Sequence, residues 1–304
     1  MVWGLAGFLA GMVLGSFAKV LADRSLRKKS FGGRAYCLSC KKELRWYDLF
    51  PVASYIFQRG QCRYCHQKIG VEYLVVEIVM GVLVGFLFWQ TFKNSQFSIF
   101  SFQSISNFQF PIFLFEFVLK IFFVTILAIL FLTDLKKMFI PDRIVIPAII
   151  ISLIALIFIT IYKVTYLYYY LSQNEIGRLL LPPNSDYFQR HAIAAAEPLY
   201  MGILMAMLIG GFFLSLIILT RGKGMGGGDV KLGAFMGLML GFPQALFALV
   251  LAFLTGAVFS IGLLLLGKKK FGQTIPFGPF LVVGSLIILF WGKEIFDWYL
   301  RLGT

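Results

Sequence analysis

The sequence predicts an all-α polytopic membrane protein with about eight transmembrane helices and one small loop domain built around cysteines. Three observations carry that prediction. Of 304 residues, 59% are hydrophobic and 14% charged, with a mean hydropathy of +0.84, a balance foreign to water-soluble domains. Apolar stretches recur along the chain at lengths fit to cross a bilayer, which takes about 20 residues per helix. All four cysteines fall between residues 37 and 65, as two Cys-x-x-Cys pairs.

In chain order the spans read 2–22, 73–92, 111–133, 144–162, 199–220, 230–243, 245–266 and 276–298. The first has neither a basic n-region nor a small-residue cleavage site, so it reads as a retained helix rather than a removed signal peptide. The sixth is short, and Gly241-Phe242-Pro243 parts it from the seventh. Helices of this kind pack on one another through small residues rather than around a water-excluding core.

The net charge of +14 would suit a nucleic-acid binder, but its placement argues for topology. Lys and Arg gather in 19–70, 136–143, 221–231 and 268–270, while the intervening loops hold only Lys93, Lys163, Arg178 and Arg190. With eight spans every rich segment falls on one face, which the positive-inside rule makes cytoplasmic. Attraction to membrane lipids with anionic headgroups is a by-product, and no nucleic acid is expected. The opposite face carries two loops. One, 93–110, is polar-aromatic, and Phe97, Phe100, Phe102 and Phe108 read as interfacial anchors. The other, 163–198, holds Tyr166, Tyr168, Tyr169 and Tyr170, read as an aromatic belt, and an isolated His191 with no ligand role. No internal repeat is evident.

The pairs Cys37-Leu38-Ser39-Cys40 and Cys62-Arg63-Tyr64-Cys65 stand about 20 residues apart, the spacing of a tetrathiolate zinc site. Each turn aims two thiolates at one ion, and two turns complete a tetrahedron, so the site is closed and structural. A segment this short buries too little apolar surface to fold alone, and metal binding supplies the missing free energy. Two disulfides are the competing reading, disfavoured on a reducing cytoplasmic side. His66 reads as a neighbour of the site, not a ligand.

Two aspartates sit where spans meet the basic face. Asp134 lies in Thr133-Asp134-Leu135-Lys136-Lys137 and Asp229 in Gly226-Gly227-Gly228-Asp229-Val230-Lys231. An ionisable residue in a membrane helix is costly and is a functional hypothesis by default. Two carboxylates that meet can share a proton, one holding it while the other takes a proton from water, which is the equipment for hydrolysing an amide. Such a pair titrates as a unit, so neither role belongs to one residue. The glycines before Asp229 permit close backbone approach. A phosphate-cradling loop is the rival, but no Gly-Lys-Ser/Thr pair or preceding strand accompanies it and the loop ends in a carboxylate. Asp142, before an apolar run, reads as a helix N-cap.

These residues, in register almost end to end, resemble the type IV prepilin leader peptidases, which are bifunctional GxGD-type aspartyl proteases of membranes. The resemblance runs through Gly15-Ser16-Phe17, both Cys-x-x-Cys pairs around Trp46-Tyr47-Asp48, Pro51-Val52, Ser54-Tyr55 and Arg59-Gly60. It continues through Val76-Glu77, Asp134, Ile140-Pro141-Asp142, Gly224-Met225-Gly226-Gly227-Gly228-Asp229-Val230-Lys231-Leu232 and Ile275-Pro276-Phe277-Gly278-Pro279-Phe280. It implies cleavage of prepilin and pseudopilin leaders at the cytoplasmic face of the bacterial inner membrane. Asp134 and Asp229 would be catalytic, with Gly226, Gly228 and Lys231 in the active-site loop. It also implies N-methylation of the new N-terminus using S-adenosylmethionine, an activity associated with the N-terminal region. The chain then divides into a first transmembrane helix (1–22), a cytoplasmic zinc-binding segment (23–72) and a transmembrane peptidase domain (73–304). It departs from the family pattern at Lys19, usually Asn, Leu49, usually Asn, Glu72, usually Arg, and Leu74, usually Pro.

A prepilin is an apolar helix with a basic leader, so its scissile bond sits at the interface, where the aspartates have water. Acids such as Glu43, Asp48, Glu72 and Glu77 are candidates to meet the leader, and Glu77 stands out for a non-proteolytic role. The alternatives are a peptidase without methyltransferase activity, a proton-coupled transporter, and a zinc-bearing assembly factor without catalysis.

Overall fold

Long apolar runs become long helices. A computed structural model describes residues 2–37, 39–94, 109–173, 175–183, 185–222, 226–267 and 275–302. Most of the 93–110 loop with its phenylalanines, the Gly224-Met225 start of the glycine-rich stretch and the 268–270 basic cluster lie outside these residues. The elements are α1 (Val2–Leu26), a 3-10 turn (Trp46–Leu49), α2 (Ala53–Phe57), α3 (Val71–Asn94), α4 (Gln109–Lys137) and α5 (Asp142–Ser172). They continue with α6 (Glu175–Leu179), α7 (Tyr187–Ala195), α8 (Glu197–Leu219), α9 (Gly227–Leu240), α10 (Gln244–Leu265) and α11 (Gly278–Leu302). Among the described residues there is no strand, only two isolated β-bridges.

Among the described residues seven helices, α1, α3, α4, α5, α8, α10 and α11, are long and apolar enough to cross a membrane. The expected sixth span is α9, with 14 residues. At 1.5 Å per residue it is about 21 Å long, short of a hydrocarbon core of about 30 Å. Its limits are set by glycine: Gly226 precedes it, and Gly241, at φ +66, ends it. In the opposite sense, α5 outruns its expected span. Its 31 residues extend about 46 Å, so Tyr166 to Tyr170 belong to a helix and not to the loop expected there. The stretch 163–172 contains neither glycine nor proline to stop it.

The chain forms two compact units. Unit 1 comprises Met1–Ser104 and Lys120–Pro141, with α1, α2, α3 and the C-terminal part of α4. Here α1 and α3 run antiparallel along glycines spaced by four: Gly7, Gly11 and Gly15 on α1, Gly81 and Gly85 on α3. A Cβ on Gly7 would lie 2.6 Å from the Phe88 ring, and one on Gly15 would lie 3.0 Å from the Glu77 Cα. Small-xxx-small spacing gives membrane helices this close approach. Trp3 stacks on Phe92 at the far end, 4.6 Å between centroids.

Unit 2 comprises Ile105–Leu119 and Asp142–Thr304. Its tightest seam joins α8 and α9. Met205, Ile209 and Phe213 of α8 and Leu232, Phe235 and Met236 of α9 are buried. A Cβ on Gly237 would fall 2.6 Å from the Met205 carbonyl carbon. Ala245, Ala248 and Ala252 of α10 are fully buried, and a Cβ on Gly284 of α11 would lie 3.1 Å from the Ala252 nitrogen. Phe277, from the Ile-Pro-Phe-Gly-Pro-Phe motif, sits 5.0 Å from Phe253 and 5.9 Å from Phe213.

Candidate active site and metal centre

Each Cys-x-x-Cys pair is held by the same local device. A β-bridge joins Tyr36 to Glu43, and another joins Gln61 to Lys68. Inside them Cys37 N–H donates to the Lys42 carbonyl and Cys62 N–H to the Gln67 carbonyl, both at 2.9 Å. The residue after each second cysteine, Lys41 at φ +58 and His66 at φ +53, turns left-handed. The two hairpins are thus one motif used twice, a repeat too short to stand out in the sequence. It also explains His66, which is exposed and makes the turn.

The four cysteines are free, not disulfide-bonded. Their sulfurs lie within 4.8 Å of one another, with Cys37 Sγ 3.8 Å from Cys65 Sγ. A tetrahedron with metal–sulfur bonds of about 2.3 Å has edges of about 3.8 Å, so the donor set is sized for one ion. Burial pushes the Cys37 thiol up, but backbone N–H groups of Cys40 and Ser39 and the Cys62 and Cys40 thiols bring it down to about 7. At Cys65 the backbone of Gln67 pulls down, but burial and the other three sulfurs push the thiol up to about 11. Crowding of sulfurs makes the first thiolate easy to form and the later ones hard, a conflict that a divalent cation removes.

Asp48 is the hub of this segment. Its carboxylate, 8% exposed, accepts from the Arg45 backbone, Gln58 and the Tyr64 hydroxyl at 3.1–3.3 Å, and Arg63 lies 3.7 Å away. Glu77 of α3 reaches the same segment, accepting from the Val52 N–H at 2.7 Å.

A polar cluster ties together the ends of α1, α3 and α4. Lys19, 1% exposed, donates to Asp23 at 3.1 Å and to Glu72 at 2.9 Å. Lys136 pairs with the same two acids, at 3.2 Å and 2.6 Å, and Tyr73 donates to Asp23 at 2.8 Å. The departures at 19 and 72 are therefore partners: the cation stands at 19 and the acid that meets it at 72. The two stand 53 positions apart in the chain, so only their adjacency in space links them.

Asp134 is buried, 5% exposed, one turn before the end of α4, and Thr133 beside it is fully buried. Asp229 is half-buried in the first turn of α9, directly after Gly226, Gly227 and Gly228, and its N–H reaches back to the Gly226 carbonyl at 3.3 Å. The first turn of a helix favours negative charge. Asp134 belongs to unit 1 and Asp229 to unit 2. Each is followed two residues later by a lysine that serves another acid: Lys136 takes Asp23 and Glu72, and Lys231 takes Asp142 at 2.5 Å. Residues two apart on a helix do not face each other, which lets each lysine reach an acid on another element. Asp142, expected as an N-cap, is the first residue of α5 and anchors α9 to α5 through Lys231.

Comparison with known proteins bears on the whole chain. The Bacterial Peptidase A24 N-terminal domain model matches residues 9–91, and the Type IV leader peptidase family model matches residues 187–261. The chain is 27% identical over 296 residues to a prepilin leader peptidase/N-methyltransferase of Bacillus subtilis (strain 168), covering 97% of each. Similar proteins of the same description occur in Aeromonas salmonicida, 26% identical over 88% of this chain and 74% of the relative, and in Legionella pneumophila, 27% identical over 88% and 75%. No solved structure matches. The first family model spans the cysteine hairpins with α1 and α3, the second spans the glycine loop with Asp229, and the relatives align through nearly everything between, so the chain belongs to the type IV leader peptidase family.

Proposed function

We propose that this protein is a multi-pass membrane enzyme that cleaves the leader from prepilins and pseudopilins and then N-methylates the exposed residue. The observation that carries this reading is the pair of family matches at the two ends of one chain, with relatives named for both activities. Asp134 and Asp229 would form the catalytic pair. One carboxylic acid donates a hydrogen bond to the scissile carbonyl, the other carboxylate takes a proton from water, and the hydroxide adds to the carbon. Collapse returns the proton to the departing amine. Gly226 and Gly228 leave room for the substrate backbone at Asp229, and Lys231 fixes α9 through Asp142.

Cys37, Cys40, Cys62 and Cys65 would hold Zn2+, whose closed tetrathiolate shell leaves no site for substrate and confines it to a structural role. S-Adenosylmethionine supplies an electrophilic methyl group when bound. The basic segments 19–70, 136–143, 221–231 and 268–270 would face the cytoplasm, which requires α9 to count as a crossing despite its length. Prepilin substrates and surrounding lipids are the partners, with no nucleic acid. The transporter and assembly-factor readings leave the family match unexplained.

The test is cleavage of a prepilin-like substrate in membranes, with mass spectrometry of the product. Asp134→Asn and Asp229→Asn should each cut activity by about 10³-fold or more while the protein keeps its fold and metal. Wild type should add one methyl group when S-adenosylmethionine is present. Full cleavage by either variant would end the paired-aspartate reading.

A further inference from the structure

The turn that carries α2 sits deeper than its place between two polar hairpins suggests. Val52, the residue before α2, donates its N–H to the Glu77 carboxylate at 2.7 Å, and the Ser16 hydroxyl of α1 donates to the same carboxylate. Glu77 lies four residues inside the apolar run that starts at 73, and Ser16 six residues inside the run that ends at 22. At about 1.5 Å per residue both stand about 6–9 Å inside the membrane-spanning stretches. Their neighbours Ile78 and Phe17 are exposed at that level, on helices apolar and long enough to cross a bilayer. Among the described side chains of residues 27–70, every exposed large apolar group lies between 49 and 57: Leu49, Phe50, Ile56 and Phe57, the last 85% exposed. The backbone of the turn is closed as well. Pro51 has no N–H, Val52 gives its own to Glu77, and Ser54, Ile56 and Gln58 give theirs to the carbonyls of Phe50, Val52 and Ser54 at 2.9–3.0 Å. Irregular backbone is tolerated at membrane depth only when its polar groups are satisfied. Val52 is held at φ +59, a state that a β-branched residue adopts only where its surroundings impose it.

We infer that residues 50–57 are a wedge inserted into the leaflet where α1 ends and α3 begins, with Phe50, Ile56 and Phe57 among the upper acyl chains. The occupant of this surface is the lipid bilayer. Interfacial helices set an apolar face about 5–10 Å into the boundary between headgroups and acyl chains, and the depth counted along α1 and α3 falls in that range. Arg59, exposed two residues past Phe57, then stands at the level of the headgroups, where a guanidinium meets lipid phosphate. A partner from the aqueous phase would need the patch to stand clear of the membrane, and the bond from Val52 to Glu77 holds it down. The apolar helix of a substrate is the other partner at that depth. It would leave the patch bare whenever no substrate is bound, so lipid is the resting occupant. The wedge also gives Glu77 a use. A carboxylate inside a membrane helix is costly; here it tethers the turn. Because the two cysteine hairpins flank that turn in the chain, the tether sets their height over the bilayer surface.

The experiment is fluorine NMR of the full chain in nanodiscs, with trifluoromethylphenylalanine in place of Phe57 and, in separate samples, of Phe50. The same reporter at Phe17 is the lipid reference, and at the exposed Lys42 the water reference. Line broadening is read with a lipid spin-labelled near the head of its acyl chain and with a water-soluble gadolinium chelate. The reporters at 57 and 50 should broaden with the labelled lipid as the one at Phe17 does, and about tenfold less with gadolinium than the one at Lys42. An unchanged melting temperature shows that a reporter leaves the fold intact, and position 50 serves if the reporter at 57 disturbs it. Gadolinium broadening equal to that at Lys42 puts the turn in water and overturns the inference. Broadening by neither agent overturns it too, because protein then covers the patch. So does gadolinium access that vanishes when a synthetic apolar helix with a basic leader is added, which would give the patch to the substrate. No arm reads cleavage or methylation, so the result stands apart from the proposed function.

Discussion

The cysteine segment of unit 1 and the α8–α9 seam of unit 2 reach order by opposite means. Among the described side chains of residues 27–70, only those of Asp48 and Cys62 are buried. Its shape comes from two bridges, left-handed turns after each cysteine pair, and hydrogen bonds converging on Asp48. The seam contains none of these. It is apolar throughout, and glycines let α8 and α9 approach until Gly237 abuts the Met205 backbone. Where apolar surface is scarce, a few strong directional contacts carry the fold; where everything is apolar, shape decides, because lipid competes equally for every greasy face.

That contrast is open to tests of decreasing size. Removing one metal ligand should do most. In Cys62→Ser the free energy of metal binding, about 10–16 kcal/mol for structural zinc sites, is largely lost. Residues 27–70 should then become protease-sensitive while α8 and α9 stay protected, as limited proteolysis with elemental analysis would read. Loss of protection in both regions would break the comparison. Acid should act in the same direction. The Cys37 thiol is lowered to about 7, so its thiolate is favoured above that value and its contribution is lost as pH falls through it. Protons then compete with the ion, and apparent metal affinity should drop with pH. A pH-independent affinity would count against thiolate ligation.

Next comes Lys19→Ala. It leaves Asp23 in a half-buried site with one cation fewer, though Lys136 and Tyr73 remain, so the cost should fall below the roughly 3–5 kcal/mol of an uncompensated buried charge. If 19 and 72 are partners, Lys19→Asn with Glu72→Arg should melt closer to wild type than either single change. Strict additivity would dissolve the pairing. Gly237→Leu should cost about 1–3 kcal/mol by overpacking and lower Tm without releasing metal. The smallest effect belongs to Lys231→Ala. Its pair with Asp142 is substantially exposed, worth about 0–1 kcal/mol, so a large fall in cleavage with little change in Tm would assign it to positioning α9.

Much of this was legible in one dimension. Hydropathy located the long helices because crossing a bilayer requires unbroken apolar length. The Cys-x-x-Cys spacing located the four-cysteine cluster that could hold a metal, because a single turn brings both thiolates to one point. Local reading failed where the deciding contact was remote or the stop signal absent. Residues 163–172 were expected as a loop, yet α5 runs through them because nothing there breaks a helix. Lys19 and Glu72 looked like unrelated departures until the structure put them 2.9 Å apart.

By itself the sequence determined that this is a helical membrane protein with a four-cysteine centre and two aspartates at helix ends. These are consequences of composition, period and spacing, which act within a few residues. Only tertiary structure decided that Lys136 and Lys231 serve acids other than the neighbouring aspartates, that Asp48 organises the cysteine segment, and that Glu77 holds its turn at Val52. The lysine contacts join residues tens of positions apart or more, and the charge of a side chain does not say which of several oppositely charged groups the folded backbone will bring into contact.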